Sequence, residues 1–256
     1  MAVDEAIFRA GREIKIPPTI RFYGWKNPAV SLGYFQNAER EINCGYCRER
    51  GIDIVRRPTG GRAVLHGDDL TYSVVAGENS PHFSSDIVET YSIISTCLIR
   101  GLEKSGIDAE MVKEGRAGSG PVDAFCFSTS CRNELLADGK KICGSAQVRA
   151  KGIFLQHGSL LMDFDPAEVC AVITKDTGAD TGTLERSVTS IRRSVGESVG
   201  MDTLCRNIAA GFEEVLNIRL MNGKLFPEEE RLKDSLLKSK YRNTRWNMGQ
   251  GSKSGH

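Results

Sequence analysis

Residues 133–163 read NELLADGKKICGSAQVRAKGIFLQHGSLLMD, and this stretch decides the fold. Asp138-Gly139 is a strong two-residue turn signal between two runs with strand character, 133–137 and 141–146. Residues 153–163 continue as a long strand that Gly158 should bend. A hairpin and a third strand in close succession imply antiparallel pairing. Side chains alternate along a strand, so Lys141, Cys143 and Ser145 should share one face.

Four more segments upstream carry the same character: 19–24 (TIRFYG), 30–34 (VSLGY), 52–56 (IDIVR) and 70–75 (LTYSVV). They are rich in β-branched and aromatic residues and punctuated by glycine and proline. A helix is expected over 85–104, where Ile87, Tyr91, Ile94, Leu98 and Leu102 recur at spacings of three and four and Ser84 or Ser85 offers an N-cap. Cys97 falls near that stripe as a small core residue. A further amphipathic helix carries Leu204, Ile208, Phe212 and Val215. Pro166 and Pro227 stand where a helix's first turn tolerates proline. Strands first and helices later argue for an α+β fold, with a mixed, largely antiparallel sheet packed by helices. No break in composition requires a second domain: residues 1–249 read as one catalytic domain and 250–256 as a polar tail expected to be disordered.

The chain has 256 residues, 40% hydrophobic and 26% charged, and a net charge of +1. That balance provides no global field for nucleic acid or an anionic membrane. No apolar run reaches the ~20 residues of a membrane span, and residues 1–10 lack a signal-peptide core. The expected setting is cytoplasmic. Eight cysteines raise the question of a disulfide framework, but a chain of this size in a reducing compartment does not need one. Cys44 and Cys47 form a lone CxxC, read as incidental thiols in a surface helix; no metal site is expected.

Three clusters carry potential chemistry. In RRPTGGRAVLHG (56–67), Gly60 and Gly61 permit positive φ and close backbone approach, their amides can form an anion-binding nest, and Arg57 and Arg62 would add charge at its rim. The pattern is neither a P-loop nor a dinucleotide fingerprint, and a Pro-Thr-Gly-Gly turn is also an ordinary hairpin. In GKKICGSAQ and LQHGSLL, Lys141 matters only if a partner needs its charge, because a strand lysine is usually a solvated edge residue. Cys126, between Phe125 and Phe127, has the flanks of a buried thiol.

Taken together, RRPTGGRAVLHG, GKKICGSAQ and LQHGSLL resemble the lipoate/biotin protein ligase superfamily. The likeness is nearest to its cysteine-dependent octanoyltransferases and extends from MAVDEAIF through IPPTIRFYGW and GYFQN to YRNTRWN. It implies that superfamily's catalytic-domain fold and an acyltransferase active in protein lipoylation. Cys126 stands where those transferases place their nucleophile, and Lys141 matches their lysine; Cys131 is the local competitor, and Cys143 takes a position filled by small residues. Arg57, Gly60, Gly61, Arg62, His66, Gly144, Ser145, Gln147, His157 and Gly158 are the implied substrate-binding set. His66 and His157 are candidate general bases, and the amides at Gly60-Gly61 or Gly144-Ser145 candidate oxyanion donors.

The implied donor is an octanoyl thioester on acyl carrier protein, the acceptor a lysine of glycine-cleavage H protein or another lipoyl domain, with an apolar tunnel for the acyl chain. Neither nucleic acid nor membrane is an expected partner. Arg48, Arg50, Arg56, Arg57, Arg149 and Lys151 would suit an acidic carrier. No cofactor is needed on the cysteine route. ATP and Mg enter only under the alternative of an ATP-dependent lipoate–protein ligase; an octanoyl amidotransferase between H protein and lipoyl domains and a non-catalytic acyl- or carrier-binding module are further alternatives. Relatives carry a strand and loop before their N-M-A-x-D-E-A helix, whereas this sequence opens inside that motif; a truncated start or a missing strand, with lowered stability, are the two readings.

Overall fold

A computed structural model describes residues 1–14, 16–112, 134–173, 180–195 and 199–249. In chain order the elements are α1 (Ala2–Glu13), β1 (Thr19–Tyr23), β2 (Ala29–Leu32), α2 (Ala38–Glu41), α3 (Cys44–Arg50), β3 (Asp53–Arg56), β4 (Val64–His66) and β5 (Asp69–Gly77). There follow α4 (Ile87–Glu103), β6 (Ala109–Met111), β7 (Leu135–Ala137), β8 (Lys140–Ala150) and β9 (Ile153–Leu161). The helices α5 (Pro166–Val172), α6 (Thr181–Ser187), α7 (Ile191–Val195), α8 (Met201–Leu216), α9 (Pro227–Leu236), a π-helical turn (Leu237–Tyr241) and α10 (Thr244–Met248) complete it.

The predicted α+β class holds. A six-stranded sheet runs β1-β5-β9-β8-β7-β6 with every neighbour antiparallel. A second sheet, β3-β2-β4, pairs β2 parallel to β3 and antiparallel to β4. Asp138 (φ 51°) and Gly139 (φ 71°) make the tight turn expected of them. Lys151 (φ 51°) and Gly152 (φ 78°) make a second one between β8 and β9 that the sequence reading passed over. That turn extends β8 to Ala150, well past residue 146. The long helix begins at Ile87, capped by Asp86, which accepts from the Glu89 amide at 2.8 Å; Ser84 instead takes the Asp86 amide at 3.0 Å. Pro166 and Pro227 open their helices as expected.

Alternation along β5 sends Tyr72 and Val74 to one face and Val75 to the other. On the first face α4 and α8 bring Ile94, Leu98, Ile208 and Phe212 onto Leu70, Phe154 and Leu160. Each such side chain fully buried contributes about 1.5–3 kcal/mol. On the other face α1 lays Ile7 and Phe8 on Val75 and Leu155. Cys97 is core, as its place in the stripe suggested.

Arg56 departs from the sequence reading. It is fully buried and cannot dock a carrier. Its guanidinium donates to the carbonyls of Gly33, Tyr34 and Gln36 and, from the far end of the chain, to those of Trp246 and Asn247. Trp246 Nε1 returns a bond to the Arg56 carbonyl. A charged run reads as a solvated face, and only the tertiary fold reveals five carbonyls gathered around one guanidinium. The CxxC also differs: α3 forms, but Cys47 is buried, its thiol pushed up to about 11 by burial.

Candidate active site

A small cavity, about 50 Å³, lies between the two sheets. The small sheet contributes Ser31 from β2 and Val64 and His66 from β4; the large sheet contributes Thr71 from β5, Gly144, Ser145 and Ala146 from β8, and His157, Gly158 and Ser159 from β9. Arg57 and Gly61 close it from the glycine loop. Of the substrate-binding set, Arg57, Gly61, His66, Gly144, Ser145, His157 and Gly158 therefore converge here. Gly60, Arg62 and Gln147 are not among the lining residues.

The glycine loop is held differently from the expected nest with a charged rim. Arg57 is buried within it and donates to the carbonyls of Ser31, Gly60 and Arg62. Gly61 adopts φ 88°, and its carbonyl occupies the space a Cβ on Gly33 would need, 1.9 Å away. Two glycines facing each other thus set how closely the loop lies on β2. Arg62 is half-buried, and its Nη1 is buried without a hydrogen-bond partner.

The two histidines, alike in sequence, differ in surroundings. His66 Nδ1 meets Asp69 Oδ2 at 2.9 Å and Nε2 meets Ser31 Oγ at 2.8 Å, while Trp25 stacks on the ring with centroids 4.2 Å apart. An Asp-His-Ser line of this kind fixes the ring and leaves Nε2 able to take a proton. Burial alone would raise the Asp69 carboxyl, but His66 and bonds from Ser159 and the Gly67 amide outweigh it and hold the carboxyl below its usual range. Ser31 is 1% exposed and also receives a bond from Arg57 at 3.1 Å. His157 Nε2 meets Thr59 Oγ1 at 2.6 Å, whereas Nδ1 is buried with no partner. Burial pushes its pKa down to about 3, so His157 is neutral at working pH and a weak base.

Lys141 is not a solvated edge residue. It lies in an interior strand, 1% exposed, and pairs with Glu134. Glu134 escaped the sequence reading, since nothing local marks a carboxylate seven residues ahead as a partner. Cys143 is buried, and burial raises its thiol to about 12, which fits the packing role expected of it. Its Sγ lies 4.0 Å from Ser145 Oγ, so those two do share a face. Ser31, Thr59, Asp69 and Tyr72 were also missed; they read as ordinary strand or turn residues until the two sheets face each other. Cys126 and Cys131 lie outside the described residues. No group of three His, Cys, Asp or Glu side chains among the described residues is placed to hold a metal.

The chain's family follows from comparison with known proteins. The family model for the lipoyl protein ligase A/B catalytic domain matches residues 1–213. This chain belongs to that family. Among curated relatives, the octanoyltransferase LipM of Kyrpidia tusciae is 41% identical over 255 residues, covering 96% of this chain and 93% of the relative. The LipM octanoyltransferase of Bacillus subtilis is 37% identical over 256 residues, covering 96% and 92%. Two solved structures share the fold. A lipoate protein ligase of T. acidophilum with bound lipoic acid superposes with a TM-score of 0.81 at 31% identity, covering 97% of this chain and 92% of that one. A lipoate-protein ligase A bound with ATP gives 0.79 at 31%, with the same coverage. The lipoyl ligase fold is thus shared by proteins named for two different chemistries.

Proposed function

We infer that this chain is an octanoyltransferase of protein lipoylation, taking octanoate from a carrier thioester and placing it on a lysine of a lipoyl-domain protein. The observation that supports this most is the likeness to LipM octanoyltransferases along 96% of the chain. The donor is read as octanoyl-acyl carrier protein and the acceptor as glycine-cleavage H protein or another lipoyl domain.

In this reading the Cys126 thiolate adds to the thioester carbonyl, the carrier's C–S bond breaks, and the carrier thiolate leaves and takes a proton. The acceptor amine then adds to the enzyme thioester, an amide forms, and Cys126 leaves as thiolate. The amine's proton passes to His66 Nε2, with Asp69 stabilising the imidazolium; Ser31 holds that nitrogen in line until the amine arrives. His157, already neutral and hard to protonate, positions the loop through Thr59. Lys141 is the charge that favours the Cys126 thiolate and polarises the acyl carbonyl, with Glu134 fixing where its ammonium sits. No cofactor takes part.

Carrier docking falls to Arg48, Arg50 and Lys151, which are exposed. Arg56 and Arg57 are buried, and Arg149 is committed to Glu78 and to the carbonyls before α4. The apolar tunnel is not outlined by the described residues.

The test is intact-protein mass after incubation with octanoyl-acyl carrier protein and no ATP, for wild type, Cys126→Ala and Ser31→Ala. An octanoyl adduct lost only in Cys126→Ala establishes the cysteine route. An adduct that survives Cys126→Ala and disappears in Ser31→Ala moves the acyl group to the Asp-His-Ser line. No adduct, but lipoylation of an acceptor domain once lipoate and ATP are added, overturns the transferase reading in favour of a ligase.

A further inference from the structure

Beneath the cavity a chain of side-chain hydrogen bonds leads to Ser145, and its direction is fixed by chemistry. Arg149 has donors only. Its Nε donates to Gln147 Oε1 at 2.7 Å, so the Gln147 amide must turn its NH₂ the other way, where Nε2 donates to Gln156 Oε1 at 2.8 Å. Gln156 Nε2 is then the donor to Tyr72 Oη at 3.1 Å. Tyr72 is fully buried, and burial holds its phenol protonated. The phenol's single hydrogen points to its other partner, Ser145 Oγ, at 2.7 Å.

Ser145 therefore accepts, and its own hydrogen is not used on Tyr72. Its one further hydrogen-bonding neighbour among the described residues is Cys143 Sγ at 4.0 Å, a weak acceptor. Arg149 itself cannot swing away: it is also bound to Glu78, to the Ser84, Ser85 and Asp86 carbonyls and to Thr90 Oγ1. Gly158 makes the geometry possible. A Cβ there would lie 2.6 Å from the Tyr72 ring and 2.7 Å from Ser145 Oγ.

We propose that the Ser145 hydroxyl is a catalytic hydrogen-bond donor to the octanoyl carbonyl oxygen, and that Arg149, Gln147, Gln156 and Tyr72 are positioning residues that keep its hydrogen turned to the cavity. The charge that develops on the carbonyl oxygen during either attack is met by a donor already oriented, which is what makes such donors effective. This assignment rests on the transferase reading.

A near-isosteric change at a residue outside the cavity lining inverts the relay. In Gln147→Glu the new carboxylate accepts from Arg149 and from the Gln156 NH₂, which must turn towards it. Gln156 then presents its oxygen to Tyr72, Tyr72 donates to Gln156, and Ser145 spends its hydrogen on Tyr72. The experiment measures steady-state octanoyl transfer to an acceptor domain for wild type, Ser145→Ala, Gln147→Glu, Tyr72→Phe and Ser145→Ala/Gln147→Glu. The carbonyl stretch of a ¹³C-labelled octanoyl group on the enzyme is recorded in parallel.

Ser145→Ala is expected to lose roughly 10²-fold in kcat with KM within about threefold, as for loss of one oxyanion donor. Gln147→Glu should lose at least about tenfold, Tyr72→Phe a similar amount, and the double variant no more than Ser145→Ala alone. The carbonyl stretch should rise in each of them. Losses that add in the double variant, or full activity and an unshifted stretch in Gln147→Glu, overturn the relay while leaving the transferase reading intact. Absence of ATP-independent transfer by wild type overturns that reading first.

Discussion

The two walls of the cavity are built on opposite electrostatic plans. One wall is charged: His66 on β4 and Arg57 from the glycine loop both bond Ser31, and Asp69 at the start of β5 holds the far side of the His66 ring. The wall around Ser145 presents neutral groups, with Ser145 steered by Tyr72 and Gln156, while Arg149 is held at the far end of the relay and Lys141 is paired with Glu134. A charged wall can hold or move a proton; a neutral one can only orient a dipole. Acyl transfer to an amine calls for both, and the proposed mechanism gives proton traffic to His66 and carbonyl orientation to Ser145.

The largest expected effect comes from removing the charged wall's base. His66→Asn should slow amide formation on the acceptor by roughly 10²- to 10⁴-fold. Single-turnover acylation of the enzyme should change far less. Equal losses in both half-reactions would mean that His66 shapes the cavity rather than taking the amine's proton.

A smaller effect is expected from crowding the neutral wall. Gly158→Ala puts a Cβ against the Tyr72 ring, Ser145 Oγ and, at 2.6 Å, the Gly144 carbonyl oxygen. Two of these are a packed ring and backbone, so the strain should cost about 1–3 kcal/mol in urea unfolding, with transfer activity falling alongside. Unchanged stability would show that the wall yields more readily than its contacts suggest.

The smallest effect is a pH slope. Burial pushes the His157 pKa down to about 3 in the folded chain, below the ordinary histidine value near 6.5. Between those values the unfolded chain binds a proton that the folded one refuses, so stability falls as pH drops from about 6.5 towards 3, by on the order of 1 kcal/mol per pH unit. Urea unfolding at pH 7.5 and pH 5 should show the slope in wild type and a reduced one in His157→Gln. Identical slopes would place His157 in contact with water after all.

Much of this was legible in the sequence because it is local. Asp138-Gly139, the paired glycines at 60 and 61 and the stripe through Ile94 and Leu98 are short-range signals with short-range causes. The charged wall was half legible: His66 stands out, but Asp69 and Ser31 do not, because they become partners only when β4, β5 and β2 come together. Arginines misled most. Arg56, Arg57 and Arg149 look like solvated charge and are instead three internal clamps, each holding backbone carbonyls that no sequence pattern announces. The neutral relay was invisible for a further reason. Its direction depends on Arg149 being unable to accept, a property that acts through three other side chains before it reaches Ser145.

Arg56 carries a consequence for the life of the protein before it is finished. Two of the carbonyls it holds belong to Trp246 and Asn247, about 190 residues further along. At roughly 5–20 residues per second, a ribosome needs about ten to forty seconds to reach them after making Arg56. Until then the guanidinium has only the carbonyls of Gly33, Tyr34 and Gln36 to donate to, and the last helix is what completes its shell.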